Sequence, residues 1–295
     1  TILHKCNARI KANNGILSID APFRYLEVLN VTVTAQAFIK AATICNDTLK
    51  AKLTATGKLT VSAKKFSATL PLLDNEMFPL VAPTTQPAKL LVPILPILEQ
   101  LRGFVSDDAS RPWSRSVCFK NGYAYATNNV VIAKVPAAIG FDMVIPAAAI
   151  DELLRLGYEP TGAAVTENSI AFPLNEGAWM STQLVQDKWP DVENMVPESN
   201  PEPLPDNFLL TLKELLPFCE DPKFPIIHLG DFGISKDEGS MQATIDIGEF
   251  PECKFRAEPL MQVAKRAYAI DFTAFPKPCP FIGENDLTGV VVGMR

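Results

Sequence analysis

The sequence predicts an α+β fold assembled from tandem copies of one small unit, and three observations predict it. A brief β-like stretch, a helix of about three turns and several alternating strands recur in that order over residues 31–70, 89–135, 141–185, 208–247 and 253–292. Two copies share wording at their ends: Ala68-Thr69-Leu70-Pro71 runs on to Asp74 and Met77-Phe78-Pro79, and Ser181-Thr182-Gln183-Leu184 runs on to Asp187-Lys188-Trp189-Pro190. Two proline-rich breaks, at 81–87 and 197–205, leave segments of about 80, 110 and 90 residues, each a normal domain size. Proline lacks an N–H and fixes φ, so neither break continues a helix or a central strand, and both read as extended, semi-rigid linkers. Repeats fix architecture before any motif does. They point to a modular scaffold presenting similar helices along one surface, a plan that a single catalytic pocket does not need.

The elements follow from local pattern. Residues 8–12 and 16–20 alternate on either side of Asn13-Asn14-Gly15, a hairpin in which Asn-Gly supplies the positive φ of a tight turn. Thr34 stands as the N-cap of a helix carrying Phe38, Ala41, Ala42 and Cys45 at helical spacing. Residues 58–62 and 66–70 alternate, which buries one face of each strand and wets the other. Pro146 suits the first turn of a helix with Ile150, Leu153 and Leu154 behind it. Thr211 caps a helix with Leu212, Leu215 and Leu216, and Pro259 opens one with Leu260, Val263 and Ala264.

A chain of 295 residues, 47% hydrophobic and 20% charged, has room for two or three domains with real cores. No apolar run approaches the ~18 residues of a membrane span, and nothing resembles a signal peptide. The richest stretch, 90–98, is broken by Pro93 and Pro96. Six cysteines without CxxC spacing read as reduced, mostly buried thiols of a cytosolic protein. A net charge of −6 argues against a wholly basic nucleic-acid binder but not against DNA, because a field depends on where charges sit. The helices carry Lys40, Arg102, Arg155, Lys213, Lys265 and Arg266 on their polar faces, with fewer acids (Glu99, Asp151, Glu152, Glu214 and Glu258). Taken singly, each cation is a solvated surface residue; taken through the repeat, the cations line one basic surface.

The sequence carries no catalytic or metal signature. The two histidines, His4 and His228, are far apart, and although His4 and Cys6 could touch one ion, no second ligand pair has zinc spacing. There is no P-loop, GxGxxG or GxSxG. Asp151-Glu152 and Asp237-Glu238 are adjacent, which does not make carboxylates converge, and Cys45, Cys118 and Cys219 lie in apolar runs as inert core thiols. No cofactor, metal or catalytic residue is expected.

Four segments resemble the bacterial-type DNA sliding clamp, the β-subunit family of DNA polymerase III. Phe104-Val105-Ser106, then Arg111 and Val117-Cys118-Phe119, look like the start of that family's middle domain. The segment 124–133, with Ala126-Thr127-Asn128-Asn129, is similar to its Ala-Thr-Asp-Gly-His-Arg-Leu-Ala stretch. The segment 181–191, running on to Val196-Pro197, is similar to Lys-Leu-Val-Asp-Gly-Arg-Phe-Pro-Asp, and Val290-Val291-Val292-Gly293-Met294-Arg295 to a Val-Val-Met-Pro-Met-Arg ending. Each motif alone is weak; their order, with the repeat, covers nearly the whole chain. The chain departs from the pattern at Asn128-Asn129-Val130-Val131 and at Gly293. A clamp serving a non-bacterial replisome, such as a virus-encoded one, would account for that drift.

The resemblance implies a DNA clamp fold: three tandem domains of paired helix-plus-strands half-units at 1–84, 85–200 and 201–295, helices lining an inner face and sheets outside. Thr1 falls within the opening half-unit, so the first domain is expected to be incomplete at its N-terminus. It implies a cytoplasmic, non-enzymatic processivity factor of DNA replication, a ring-shaped homodimer around double-stranded DNA that binds polymerase and clamp loader through short peptide motifs and touches no membrane. The pore residues would be Lys40, Arg102, Arg155, Lys213, Lys265 and Arg266, with Arg111 and Trp113 on a loop where the family touches DNA; for Trp113 ordinary packing is the other reading. Head-to-tail closure would set the strand 64–68, with Lys64, Lys65 and Phe66, against Phe218, Cys219, Glu220 and Asp221, unless the lysines simply guard a sheet edge. A peptide pocket would be walled by Thr127, Ile132, Pro190, Met195, Val290, Val292 and Met294 and rimmed by Phe224, Arg256 and Arg295, each of which could equally be core packing. Two other readings compete: a β-rich structural assembly protein with no DNA role, and a nucleic-acid enzyme on a borrowed scaffold. The basic helices weigh against the first, and the missing catalytic groups against the second.

Overall fold

A computed structural model describes residues 7–24, 29–45, 49–74, 85–184, 187–197, 199–219, 221–231, 233–236 and 243–294. The Asn-Gly hairpin joins β1 (Asn7–Asn13) to β2 (Leu17–Arg24), with Asn13 opposite Ser18. Gly15 takes φ 88°, and the Asn13 and Asn14 side chains accept backbone N–H groups of the turn at 2.7–3.0 Å.

The five copies of the unit then follow in order. The first is α1 (Ala35–Ile44), β3 (Lys50–Leu53), β4 (Lys58–Ala63) and β5 (Phe66–Pro71). The second is β6 (Ala88–Lys89), α2 (Leu95–Leu101), β7 (Ser116–Lys120), β8 (Tyr123–Thr127) and β9 (Val131–Pro136). The third is β10 (Met143–Pro146), α3 (Ala147–Leu156), β11 (Gly162–Val165), β12 (Ser169–Pro173) and β13 (Trp179–Gln183). The fourth is β14 (Glu202–Pro203), α4 (Phe208–Leu215), β15 (Ile226–Gly230), β16 (Gly233–Lys236) and β17 (Thr244–Ile245). The fifth is β18 (Cys253–Arg256), α5 (Ala257–Ala264), β19 (Ala267–Ile270), β20 (Cys279–Gly283) and β21 (Thr288–Val291). The shared wording noted in the sequence falls on β5 and β13, the last strands of their copies; Met77-Phe78-Pro79 lies outside the described residues.

The chain forms two compact units, Thr1–Pro87 with Thr161–Gln183, and Ala88–Pro160 with Leu184–Arg295. In the first, β3-β4-β5 form a sheet beneath α1, and Ala41 and Cys45 of the helix end meet Leu59, Val61 and Leu70. A second sheet runs β1-β2-β13-β12-β11, with Leu17 opposite Thr182. In the second unit an eight-stranded sheet runs β10-β7-β8-β9-β21-β20-β19-β14, and a smaller one runs β17-β16-β15-β18. Helices pair there, α2 on α3 and α4 on α5.

One expectation needs correction and two gain detail. Thr211 does not cap α4: the helix starts a turn earlier at Asn207, and the Thr211 N–H already donates to the Asn207 carbonyl at 2.9 Å. Phe208 draws the start forward by packing against Phe250 and Phe272. Thr34 does hold the N-cap place of α1, without a side-chain cap. The break at 197–205 contains a strand, β14, whose Pro203 sits opposite Ala269 at the sheet edge, where a missing N–H costs no ladder bond. Among the described residues, no helix is long and apolar enough to cross a membrane and no three His, Cys, Asp or Glu side chains gather as metal ligands.

The thiols make a pH prediction. Burial pushes Cys118 up to about 11, and Cys253 and Cys279 up to about 12, from an ordinary 9.0. Below pH 9 these thiols are protonated whether the chain is folded or unfolded, so their contribution is intact. Above 9 the unfolded chain ionises first, so stability should fall as pH climbs toward 11–12. Ellman's reagent at pH 8 should label these three slowly in the native chain and at once in urea; rapid native labelling would show them accessible.

Candidate peptide groove and nucleic-acid surface

Local register builds the candidate groove. Residues directly opposite in antiparallel strands share a face. Thr127 lies opposite Ile132, Ile132 opposite Val290, and Val290 opposite Pro280, which makes one row across β8, β9, β21 and β20. Ala126, Ala133, Gly289 and Phe281 make the adjacent row on the other face. That other face is covered by helices: Phe281 stacks on Phe104, just beyond α2, with ring centroids 6.1 Å apart, and Arg266, just beyond α5, lies over the same Phe104 ring. Gly289 permits this, because a Cβ there would stand 2.2 Å from the Ile132 carbonyl oxygen and 2.4 Å from the Phe281 ring. Two copies of the unit thereby fuse at β9–β21 into one continuous sheet.

The sequence-predicted pocket residues divide along this geometry. Thr127 and Val290 are buried, Ile132 and Met294 half-buried, and Pro190, Met195 and Val292 exposed. Val292 donates its N–H to the Val130 carbonyl at 2.9 Å, and Met294 donates to the Lys254 carbonyl at 2.8 Å, so the chain end passes from beside β9 to β18 of the smaller sheet. Gly293, where the related ending has proline, has the Phe275 ring 2.8 Å from any Cβ position: that ring fills the side-chain space. Phe224 is exposed with the Arg256 guanidinium 4.9 Å over its ring. Arg295 lies outside the described residues.

The divergent turn is internally satisfied. Asn128 accepts from the Val130 and Val131 N–H groups and donates to Gln262 on α5 at 2.8 Å, while Thr127 donates to the Val131 carbonyl. Asn129 takes φ 71°, a conformation asparagine tolerates, and accepts from Arg111 at 2.9 Å. The segment carrying Pro190 and Met195 is tied down by contacts the sequence did not announce. Trp189 donates to Ser116 at 2.8 Å and meets Trp113 edge to face at 5.4 Å. Glu193 accepts from Asn121 and pairs with Lys120 at 3.2 Å, which raises the lysine's pKa. Trp113 thus has a packing partner, and the only signal for it was the tryptophan in the quoted 181–191 motif.

The cations expected on the helices are less free than the repeat suggested, and Arg102, Lys265 and Arg266 fall just past helix ends instead of on helical faces. Arg102 is held by both Asp151 oxygens, at 2.5 and 3.0 Å, and that hydrogen bonding raises its pKa; Arg155 is held by Glu152 on its own helix. Arg266 donates to the Glu99 carbonyl and, with Lys265, lines a hollow of about 380 Å3 that also holds Glu99 and Glu284. Lys213 and Lys265 are exposed in the second unit, and Lys40 on α1 in the first.

One correction concerns the expected ring contact. Lys64 and Lys65 form the β4–β5 turn, Lys64 at φ 46°, and the strand begins only at Phe66. Phe218 closes a 3-10 turn after α4 and is 44% exposed, Cys219 is half-buried, Asp221 is exposed, and Glu220 lies outside the described residues.

Solved structures match nearly the whole chain. The DNA polymerase III beta chain of Streptococcus pneumoniae is 17% identical, with a TM-score of 0.81 over 97% of this chain and 88% of that one. The DNA polymerase sliding clamp of Caulobacter crescentus is 16% identical, with a TM-score of 0.80 over 97% and 88%. The Helicobacter pylori beta clamp bound to a DNA ligase peptide is 12% identical, with a TM-score of 0.74 over 97% and 88%. No protein-family model and no curated protein sequence matches the chain. The expected clamp-type α+β architecture is what the chain has: its fold is that of the bacterial beta sliding clamps.

Proposed function

We propose that this chain is a sliding clamp, a polymerase processivity factor that closes with a second copy around duplex DNA. The fold shared with beta clamps over 97% of the chain carries the reading. Three sequential domains per copy, at 1–84, 85–200 and 201–295, would make the ring. Its action is topological. A tethered polymerase rebinds as an intramolecular event at high effective concentration, with no bond made or broken by the clamp. Lys40, Lys213 and Lys265, with Arg111, Arg266 and the acid-paired Arg102 and Arg155, would meet phosphates. Such contacts are blind to sequence and weaken with salt, as sliding requires. The edge strand β5 with the Lys64-Lys65 turn, and the exposed Phe218 with Asp221, would supply the two unlike faces of a head-to-tail joint. Partners would dock a short peptide on the β9–β21 row; that a similar clamp, from Helicobacter pylori, binds a DNA ligase peptide supports a peptide ligand.

Topology tests this reading directly. Loaded on nicked circular duplex, the chain should be retained through gel filtration and should be lost once the circle is cut. Equal retention on linear and circular DNA, or a strict monomer at micromolar concentration, would sink it.

A further inference from the structure

A second hollow lies on the open face of the same sheet, one row beyond the expected pocket. Tyr125, Lys134, Thr288 and Ile282 are successive opposite residues across β8, β9, β21 and β20, two positions along from Thr127, Ile132, Val290 and Pro280. Pro197 and Pro201 of the linker wall a groove of about 590 Å3 there, with Lys134, Thr288 and Ile282 among its other lining residues. Lys134 is the one charged side chain among the described residues of that lining. Among the described residues it has no carboxylate partner. Its ammonium lies 3.9 Å from the Tyr123 ring centroid and 6.0 Å from that of Tyr125. A cation over aromatic faces is held in place without being neutralised.

From this the geometry points to a specificity subsite: the groove under the linker receives an acidic residue of the docked partner peptide, with its carboxylate on Lys134. The inference rests on the peptide-docking reading and narrows its ligand class. Two observations choose an anionic occupant: the Lys134 charge, unopposed among the described residues, and the continuity of this row with the apolar row at Ile132 and Val290. Spacing sets the distance. An extended peptide advances ~3.3 Å per residue, as the strands beneath it do, so a residue two positions from the one over Ile132 reaches Lys134. Pro197 and Pro201 offer stiff walls that lose little freedom when a ligand enters.

Fluorescence anisotropy on the full chain tests this. The probes are fluorescein-labelled peptides with a Leu-Phe anchor and aspartate, serine or lysine two residues before or after it. One aspartate peptide should bind about tenfold tighter than its lysine counterpart, and the preference should shrink as salt rises. Lys134→Glu should invert the order and Lys134→Ala should level it, with circular-DNA retention unchanged. Aspartate and lysine peptides that bind equally, or an order that Lys134→Glu does not change, would overturn the subsite alone. No binding by any peptide, with Ile132→Asp silent, would overturn the docking reading and the subsite with it.

Discussion

Gly289→Ala is expected to destabilise the second compact unit by about 3 kcal/mol or more, well beyond an ordinary surface change. The added Cβ would fall 2.2 Å from the Ile132 carbonyl oxygen and 2.4 Å from the Phe281 ring. The first obstacle is backbone, which has no rotamer to change. Phe281 cannot retreat either, since it is buried at 1% exposure and stacked on Phe104. The sheet must therefore part at β9–β21, the seam that joins two copies of the unit. Urea unfolding should show the loss, and the melting temperature should fall by roughly 6–12 °C. Gly230→Ala is the control: a Cβ there meets only the Glu252 side chain at 3.8 Å, and near-neutral stability is expected. A Gly289→Ala chain as stable as its parent would show that the seam is looser than this geometry.

What the sequence made legible was local. The Asn13-Asn14-Gly15 turn, the strands at 58–63 and 66–71 and the helix after Pro146 each follow from signals within a few residues. Arg155 with Glu152 was readable too, since i,i+3 neighbours on a helix meet. What stayed hidden required packing between distant segments. Arg102 meets Asp151 only because α2 lies on α3, so its pairing was invisible in a list of cationic helix faces. Trp189 reaches Ser116 across 73 positions. The start of α4 was misplaced because Thr211 is a good cap by type, while the aromatic contacts of Phe208 with Phe250 and Phe272 decide where the helix begins. The candidate groove was legible as motif membership. That Ile132 and Val290 are opposite neighbours, with Lys134 and Thr288 next in line, is a matter of register.

The same register singles out the substitution with the largest functional effect. The double variant Ile132→Asp with Val292→Asp should weaken partner-peptide binding by at least about thirtyfold, the loss of roughly 2 kcal/mol that a central apolar anchor carries. Ile132 is half-buried and Val292 is 43% exposed. Aspartate at either place can therefore stay hydrated in the free chain, so the fold should survive, with an unfolding midpoint near that of the parent. A docked peptide would exclude that water and leave two carboxylates facing apolar side chains, a cost that appears only in the complex. Retention on circular DNA should not change, since neither position lies on the helical face. Anisotropy titration against the aspartate-flanked Leu-Phe peptide reads the first effect, and retention on nicked circles reads the second. Unchanged peptide affinity in a folded double variant would move the docking site off β9–β21. Loss of DNA retention alongside it would mean that the row supports ring closure, and the separation of tethering from encirclement would fail.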